Sequence, residues 1–287
     1  MQVALPWNDR AGRLSWLKLA CFAACLAPGL WIILQWSNEM LGVRPVTETI
    51  HQTGDWAIRF LLISLCITPL RRVAQYPKLV TIRRMLGLTC LAYAAIHFTL
   101  FIVDQKYDLV KVATEIVLRF YLTLGFLGLL GLAALGLTST DAAIRRLGAL
   151  RWNRLHQLVY PIAIIGLVHF ALQSKRDVTE AMMLAGMFTL LMLARWLDSR
   201  GKASALSLVA LALFSALACA LMEAGWYAVA SGIDPVRLLA ADIDPEMLPR
   251  PWVWVLLAGL LLAGLRWWRG RKVVAGAVRG RIVESAR

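Results

Sequence analysis

Apolar residues fall in eight long runs, at about 17–36, 56–70, 85–103, 119–137, 156–173, 180–197, 204–222 and 251–268, set apart by stretches rich in arginine, proline and polar side chains. A hydrocarbon layer of about 30 Å takes about 20 helical residues to cross at roughly 1.5 Å each. The pattern therefore predicts eight transmembrane helices and an all-α membrane protein. The first run, within Ser15–Trp36, exceeds a signal-peptide core and has no convincing small-residue cleavage site, so it is expected to stay as an anchor. Thr68-Pro69 and the segment from Pro249 to Pro251 punctuate span ends, and only the connection around Ser231–Arg250 is long.

Composition agrees with this reading. Of 287 residues, 60% are hydrophobic and 17% charged, and the mean hydropathy of +0.66 lies far from that of a soluble domain. The net charge of +14 would suggest nucleic acid in a soluble protein, but its placement decides its meaning. The loops on one side collect Arg10, Arg13 and Lys18, then Arg71, Arg72, Lys78, Arg83 and Arg84, then Arg145, Arg146, Arg151 and Arg154, then Arg195, Arg200 and Lys202, and the basic tail from Arg266 to Arg287. Asp234, Asp242, Asp244 and Glu246 gather on the other side. The positive-inside rule then puts both termini in the cytoplasm.

The basic residues are thus mostly topological signals, although Arg71, Arg72, Arg83, Arg84, Arg145, Arg146, Arg151 and Arg154 suit a flavin phosphate or lipid headgroups equally well, and no nucleic acid partner is expected, since no basic segment is interleaved with exposed aromatics in a soluble module. Trp36, Trp56, Trp152, Trp196, Trp226, Trp252, Trp267 and Trp268 sit near span ends, where amphipathic rings are stable. The five cysteines all lie in apolar stretches without a C-x-x-C pair, which supports neither a disulfide framework nor a zinc site.

An ionisable residue inside a span is costly and is a functional candidate by default. Four histidines exist: His51, His97, His156 and His169. His97 lies 13 residues beyond Arg84, and His169 lies 13 beyond His156, so both stand roughly 20 Å above the inner loops. Two imidazoles at matched depth on neighbouring helices suit axial ligation of an iron porphyrin. A lone intramembrane histidine more often bonds a carbonyl on a facing helix, but the pair favours a cofactor. His156 is near the inner surface, turned about 140° from His169 on an ideal helix, with only Arg83 or Arg84 at its depth on the third span. Its open roles are a second haem, an alternative ligand at the first site, or contact with a flavin or quinone. His51 precedes the second span at the outer boundary, where a structural role is favoured.

The segments Ile50-His51-Gln52-Thr53-Gly54, Ile67-Thr68-Pro69-Leu70, Arg83-Arg84-Met85-Leu86-Gly87-Leu88, Tyr121-Leu122-Thr123-Leu124-Gly125, Leu137-Thr138-Ser139-Thr140 and Arg154-Leu155-His156-Gln157-Leu158-Val159-Tyr160, with His97 and His169 in register, resemble the MsrQ (YedZ) family. These are haem-binding membrane subunits of protein-methionine-sulfoxide reductase systems, within the ferric-reductase-like transmembrane superfamily. The likeness covers about residues 15–200. It implies a six-helix bundle in the bacterial inner membrane that binds haem b, with FMN as a further cofactor, and haem-ligand histidines at His97, His156 and His169. It also implies electrons drawn from the quinone pool or a cytosolic flavin reductase and passed to a periplasmic molybdopterin subunit, MsrP.

The chain would then be an electron-transfer subunit with no catalytic residue of its own, residues 1–200 forming the haem-binding domain and 201–287 a two-helix C-terminal extension with a basic tail. The alternatives are a ferric or other metal reductase subunit using a separate flavin module, since no Rossmann-type glycine loop is present, and a transporter or structural bundle whose histidines only bridge helices.

Overall fold

The computed structural model, which describes residues 5–9, 11–175 and 177–285 and the side chains of all of these except 245 and 271–285, folds the apolar runs into helix and adds helix where hydropathy is mixed. In chain order the elements are α1 (Trp16–Ser37), α2 (Pro45–Val73), a 3-10 turn (Pro77–Ile82), α3 (Arg83–Asp104), α4 (Leu109–Leu118), α5 (Phe120–Leu137), α6 (Asp141–Leu147), α7 (Ala149–His156), α8 (Val159–Ser174), α9 (Thr179–Ser199), α10 (Ala205–Ser231), α11 (Pro235–Asp242), a second 3-10 turn (Pro245–Met247) and α12 (Pro251–Ser285). Among the described residues there is no β-strand, and eight helical stretches are long and apolar enough to cross a bilayer. The protein is a multi-pass, all-α membrane protein. Of the cations assigned to the inner side, Arg10 and Arg287 lie outside the described residues, as do the side chains of Arg271, Lys272, Arg279 and Arg281.

Three elements depart from the hydropathy pattern, each for a local reason. Helix α2 starts at Pro45 rather than near residue 56, so His51 is helical. Its polar first turns satisfy themselves, with the Thr49 hydroxyl donating to the Pro45 carbonyl at 2.8 Å and that of Thr53 to the Thr49 carbonyl at 2.7 Å. Helix α4 fills the gap between the third and fourth runs. Asp108 caps it by accepting from the Lys111 amide at 2.9 Å, and the extended backbone of Arg119 separates it from α5. Helix α10 opens on a reciprocal Ser204–Ser207 capping box and continues past residue 222 to Gly232, whose φ of 65° suits a glycine stop. That continuation brings Glu223 inside the helix and fully buries it, although the apolar run ended one residue earlier.

The chain divides into two compact units, Met1–Leu65 with Thr81–Lys175, and Cys66–Val80 with Arg176–Arg287. In the first, α3 packs on α1 and α5, and α5 packs on α4 and α8. In the second, α10 packs on α9, α11 and α12, and α9 packs on α12. This second unit has a dry core of Val73, Leu190, Ala194, Leu208, Leu211, Cys219, Val255, Leu262 and Ala263. It takes in α9 as well as the helices after residue 200.

Candidate functional site

Within the first unit, α3 and α8 present His97 and His169 to each other. The ring centroids are 6.4 Å apart and the planes stand at 81°. His97 Nδ1 lies 2.7 Å from the Ile50 carbonyl of α2, and His169 Nδ1 lies 2.7 Å from the Tyr121 carbonyl of α5. A carbonyl can only accept, so each Nδ1 carries the hydrogen and each neutral ring keeps its lone pair on Nε2. Metal-bound imidazoles are held in this way, the remote N–H fixed by a carbonyl and the other nitrogen free to ligate.

The two carbonyls are reached by the same device. Gly54 follows Ile50 by four residues and Gly125 follows Tyr121 by four, which puts each glycine one turn along on the carbonyl's own face. A Cβ on Gly54 would stand 2.9 Å from His97 Nδ1, and one on Gly125 would stand 2.8 Å from His169 Cε1. No real Cβ contact is that close, so only glycine lets each ring approach the helix and reach its carbonyl.

The rings line a cavity of about 450 Å³. Leu61, Leu129, Leu132 and Ile162 contribute apolar walls, while His51, Asp55, Asp104, Lys111, Glu115 and Arg119 contribute polar lining. Helix α4 turns Lys111 and Glu115 to the cavity and leaves Val110, Val117 and Leu118 exposed. Arg119 pairs with Glu115 at 2.5 Å and donates to the Tyr121 hydroxyl at 3.3 Å.

A bare metal ion would find too few ligands, because no group of three His, Cys, Asp or Glu side chains comes together among the described residues. An iron porphyrin brings four nitrogens of its own and asks the protein for two axial ones. Two imidazoles on one metal at a nitrogen–metal distance of about 2 Å stand a little over 6 Å apart between ring centres, close to the observed separation. The residues present therefore fit a haem.

The other two histidines differ from this pair. His51 is exposed and lines the same cavity. His156 ends α7 outside the cavity lining: its ring stacks on Trp152 at 3.9 Å between centroids, and its Nε2 is 3.3 Å from the Thr138 hydroxyl. Trp152 Nε1 donates to the Thr138 carbonyl at 2.8 Å, so the His156 and Trp152 pair ties α7 to the end of α5. Of the inner arginines proposed for phosphate, Arg84 is paired with Asp141 at 2.7 Å. Hydropathy and histidine counting missed the Ile50 and Tyr121 carbonyls and the two glycines, although the repeated spacing of four residues before each glycine is visible in the sequence.

The family model of the ferric reductase like transmembrane component matches residues 53–167, a stretch that holds both α3 and most of α8. The chain is 41% identical over 182 residues to the protein-methionine-sulfoxide reductase haem-binding subunit MsrQ of Xanthomonas campestris pv. campestris, covering 61% of this chain and 83% of that protein. It is 38% identical over 189 residues to the subunit of the same name from Rhodospirillum rubrum, covering 66% and 88% of the two chains. With that of Caulobacter vibrioides the identity is 37% over 182 residues, covering 63% and 87%. No solved structure matches.

Proposed function

Because the chain belongs to the MsrQ family of haem-binding subunits of protein-methionine-sulfoxide reductases, we propose that it holds one haem b between His97 and His169 and carries electrons across the bacterial inner membrane. The observation that carries this reading is the pair of rings 6.4 Å apart, each with its Nδ1 tied to a carbonyl. Haem, when bound there, supplies one-electron redox chemistry.

The chain's own residues do positional work. Ile50 and Tyr121 fix the ring tautomers through their carbonyls, and Gly54 and Gly125 give the rings room to reach them. Leu61, Leu129, Leu132 and Ile162 keep the site apolar, a setting that would help to tune the potential of a haem held there. Were both imidazoles to hold the haem, the chain would act as an electron-transfer subunit and the substrate bond would be broken in another protein. Bilayer orientation follows from the loop cations, with both termini cytoplasmic. Electrons then enter from the quinone pool or a cytosolic flavin reductase and leave to the periplasmic molybdopterin subunit MsrP, which reduces methionine sulfoxide in oxidised proteins. His156, held by Trp152 and Thr138, is a structural residue in this scheme. FMN enters this reading only through the family likeness, and no step within the chain is assigned to it.

The test uses the full-length protein in liposomes, reduced with a quinol and followed optically. Re-oxidation on adding purified MsrP with a methionine-sulfoxide substrate is expected. Re-oxidation by a ferric chelate with no response to MsrP and sulfoxide would instead make the chain a metal reductase subunit.

A further inference from the structure

The second unit carries a group of charges that electron transfer through the first does not use. Glu223 on α10 is completely buried and Asp242, which ends α11, is 3% exposed. Arg250 lies between them, its Nη2 at 3.0 Å from Glu223 Oε1 and its Nε at 2.9 Å from Asp242 Oδ1. Trp252 Nε1 donates to the Asp242 carbonyl at 3.0 Å and holds the loop closed over the group. Two carboxylates against one guanidinium leave one negative charge in excess, shielded from water. The remaining oxygens, Glu223 Oε2 and Asp242 Oδ2, are both buried without a hydrogen-bond partner. Ionised carboxylates only accept, and an uncompensated charge in such surroundings is strongly disfavoured. The group is incomplete as a set of fixed charges.

Among the described residues, the elements packed against the group supply no further positive partner. Asp177 just before α9 and Glu180 in its first turn are acids, and Tyr227 and Cys219 on α10 bring a hydroxyl and a thiol, the thiol donating to the Met182 carbonyl at 3.3 Å. Arg237 on α11 is exposed, and Arg266 on α12 donates to the Ala203 carbonyl. A hard metal cation takes about six oxygens, whereas two are free here, and the nearby Trp226 Nε1, also buried and unpartnered, is a donor. A proton needs one oxygen and converts that carboxylate into a donor.

We propose that Glu223 and Asp242 form a proton-binding site with Arg250, in which one of the two carboxylates takes up a proton from water while Arg250 balances the other. The proton adds to a carboxylate oxygen and returns to water on release, with nothing oxidised or reduced. Arg250, 20% exposed, marks the way in. The site stands apart from the haem reading and survives or fails without it.

The experiment is infrared spectroscopy of the full-length protein in liposomes at neutral pH, in H2O and D2O, with wild type, Glu223→Gln, Asp242→Asn and, as a control, Asp177→Asn. Wild type is expected to show a protonated-carboxyl C=O band that moves down in D2O. The band should be lost in Glu223→Gln or Asp242→Asn and kept in Asp177→Asn. In wild type alone, carboxyl 13C labelling of glutamate or aspartate should shift the band, so the assignment stands even where a variant fails to fold. Absence of the band, its persistence in both folded variants, or its appearance only when sodium is withdrawn overturns the proposal, the last in favour of a metal cation.

Discussion

Two pairs of glycines, one pair in each unit, serve opposite ends. In the first, Gly54 and Gly125 face imidazoles, and the space a side chain would fill lets His97 and His169 reach a helix backbone and line a cavity. In the second, a Cβ on Gly186 would stand 2.8 Å from Cys219 Cβ and 2.7 Å from Val255 Cγ2, and one on Gly259 would run into Ala212. There the helices close on one another and seal an apolar core. Small residues mark where helices come together; the residue opposite decides whether the approach makes a site or only packing. Histidine opposite glycine keeps a polar lone pair in the membrane, and alanine, cysteine or valine opposite glycine removes the space altogether.

This contrast can be broken most severely at the rings. His97→Ala or His169→Ala is expected to abolish nearly all haem, read as loss of the b-type bands in a dithionite-reduced minus oxidised spectrum, while helix content by circular dichroism stays near wild type. Gly54→Val or Gly125→Val keeps both histidines but forces a ring off its carbonyl. Losing that support should weaken haem retention about 10–100-fold, measured by titrating haem into apoprotein. The matching change in the second unit, Gly259→Val, overpacks a closed helix contact and should cost about 1–3 kcal/mol; thermal unfolding should drop while the haem spectrum is unchanged. The smallest effect is expected for His156→Ala, which gives up one hydrogen bond to Thr138, about 1 kcal/mol, with haem per chain at the wild-type level. A halved haem content in that variant would make His156 a ligand after all.

Much of this was legible from the chain. Eight apolar runs announce a helical membrane protein, and counting residues up from Arg84 and His156 brings His97 and His169 to one level. The start of α2 was hidden because hydropathy averages out the turns around His51 and Gln52, whose neighbours Thr49 and Thr53 satisfy their own hydroxyls against the helix. Helix α4 was hidden because it is short and two-faced: Lys111, Glu115 and Arg119 recur every four residues and line the cavity, a period that a search for long apolar runs passes over. Glu223 escaped notice because it follows the apolar run directly, and its burial depends on Arg250 and Asp242 far along the chain. The Ile50 and Tyr121 carbonyls carry no side-chain signature; only the glycine four residues beyond each one betrays them.

Low-temperature electron paramagnetic resonance of the oxidised full-length protein addresses the paired imidazoles most directly. A low-spin ferric signal of bis-histidine ligation, one per chain and absent from His97→Ala and His169→Ala, is the predicted result. A high-spin signal, or a low-spin signal that survives both substitutions, would contradict it.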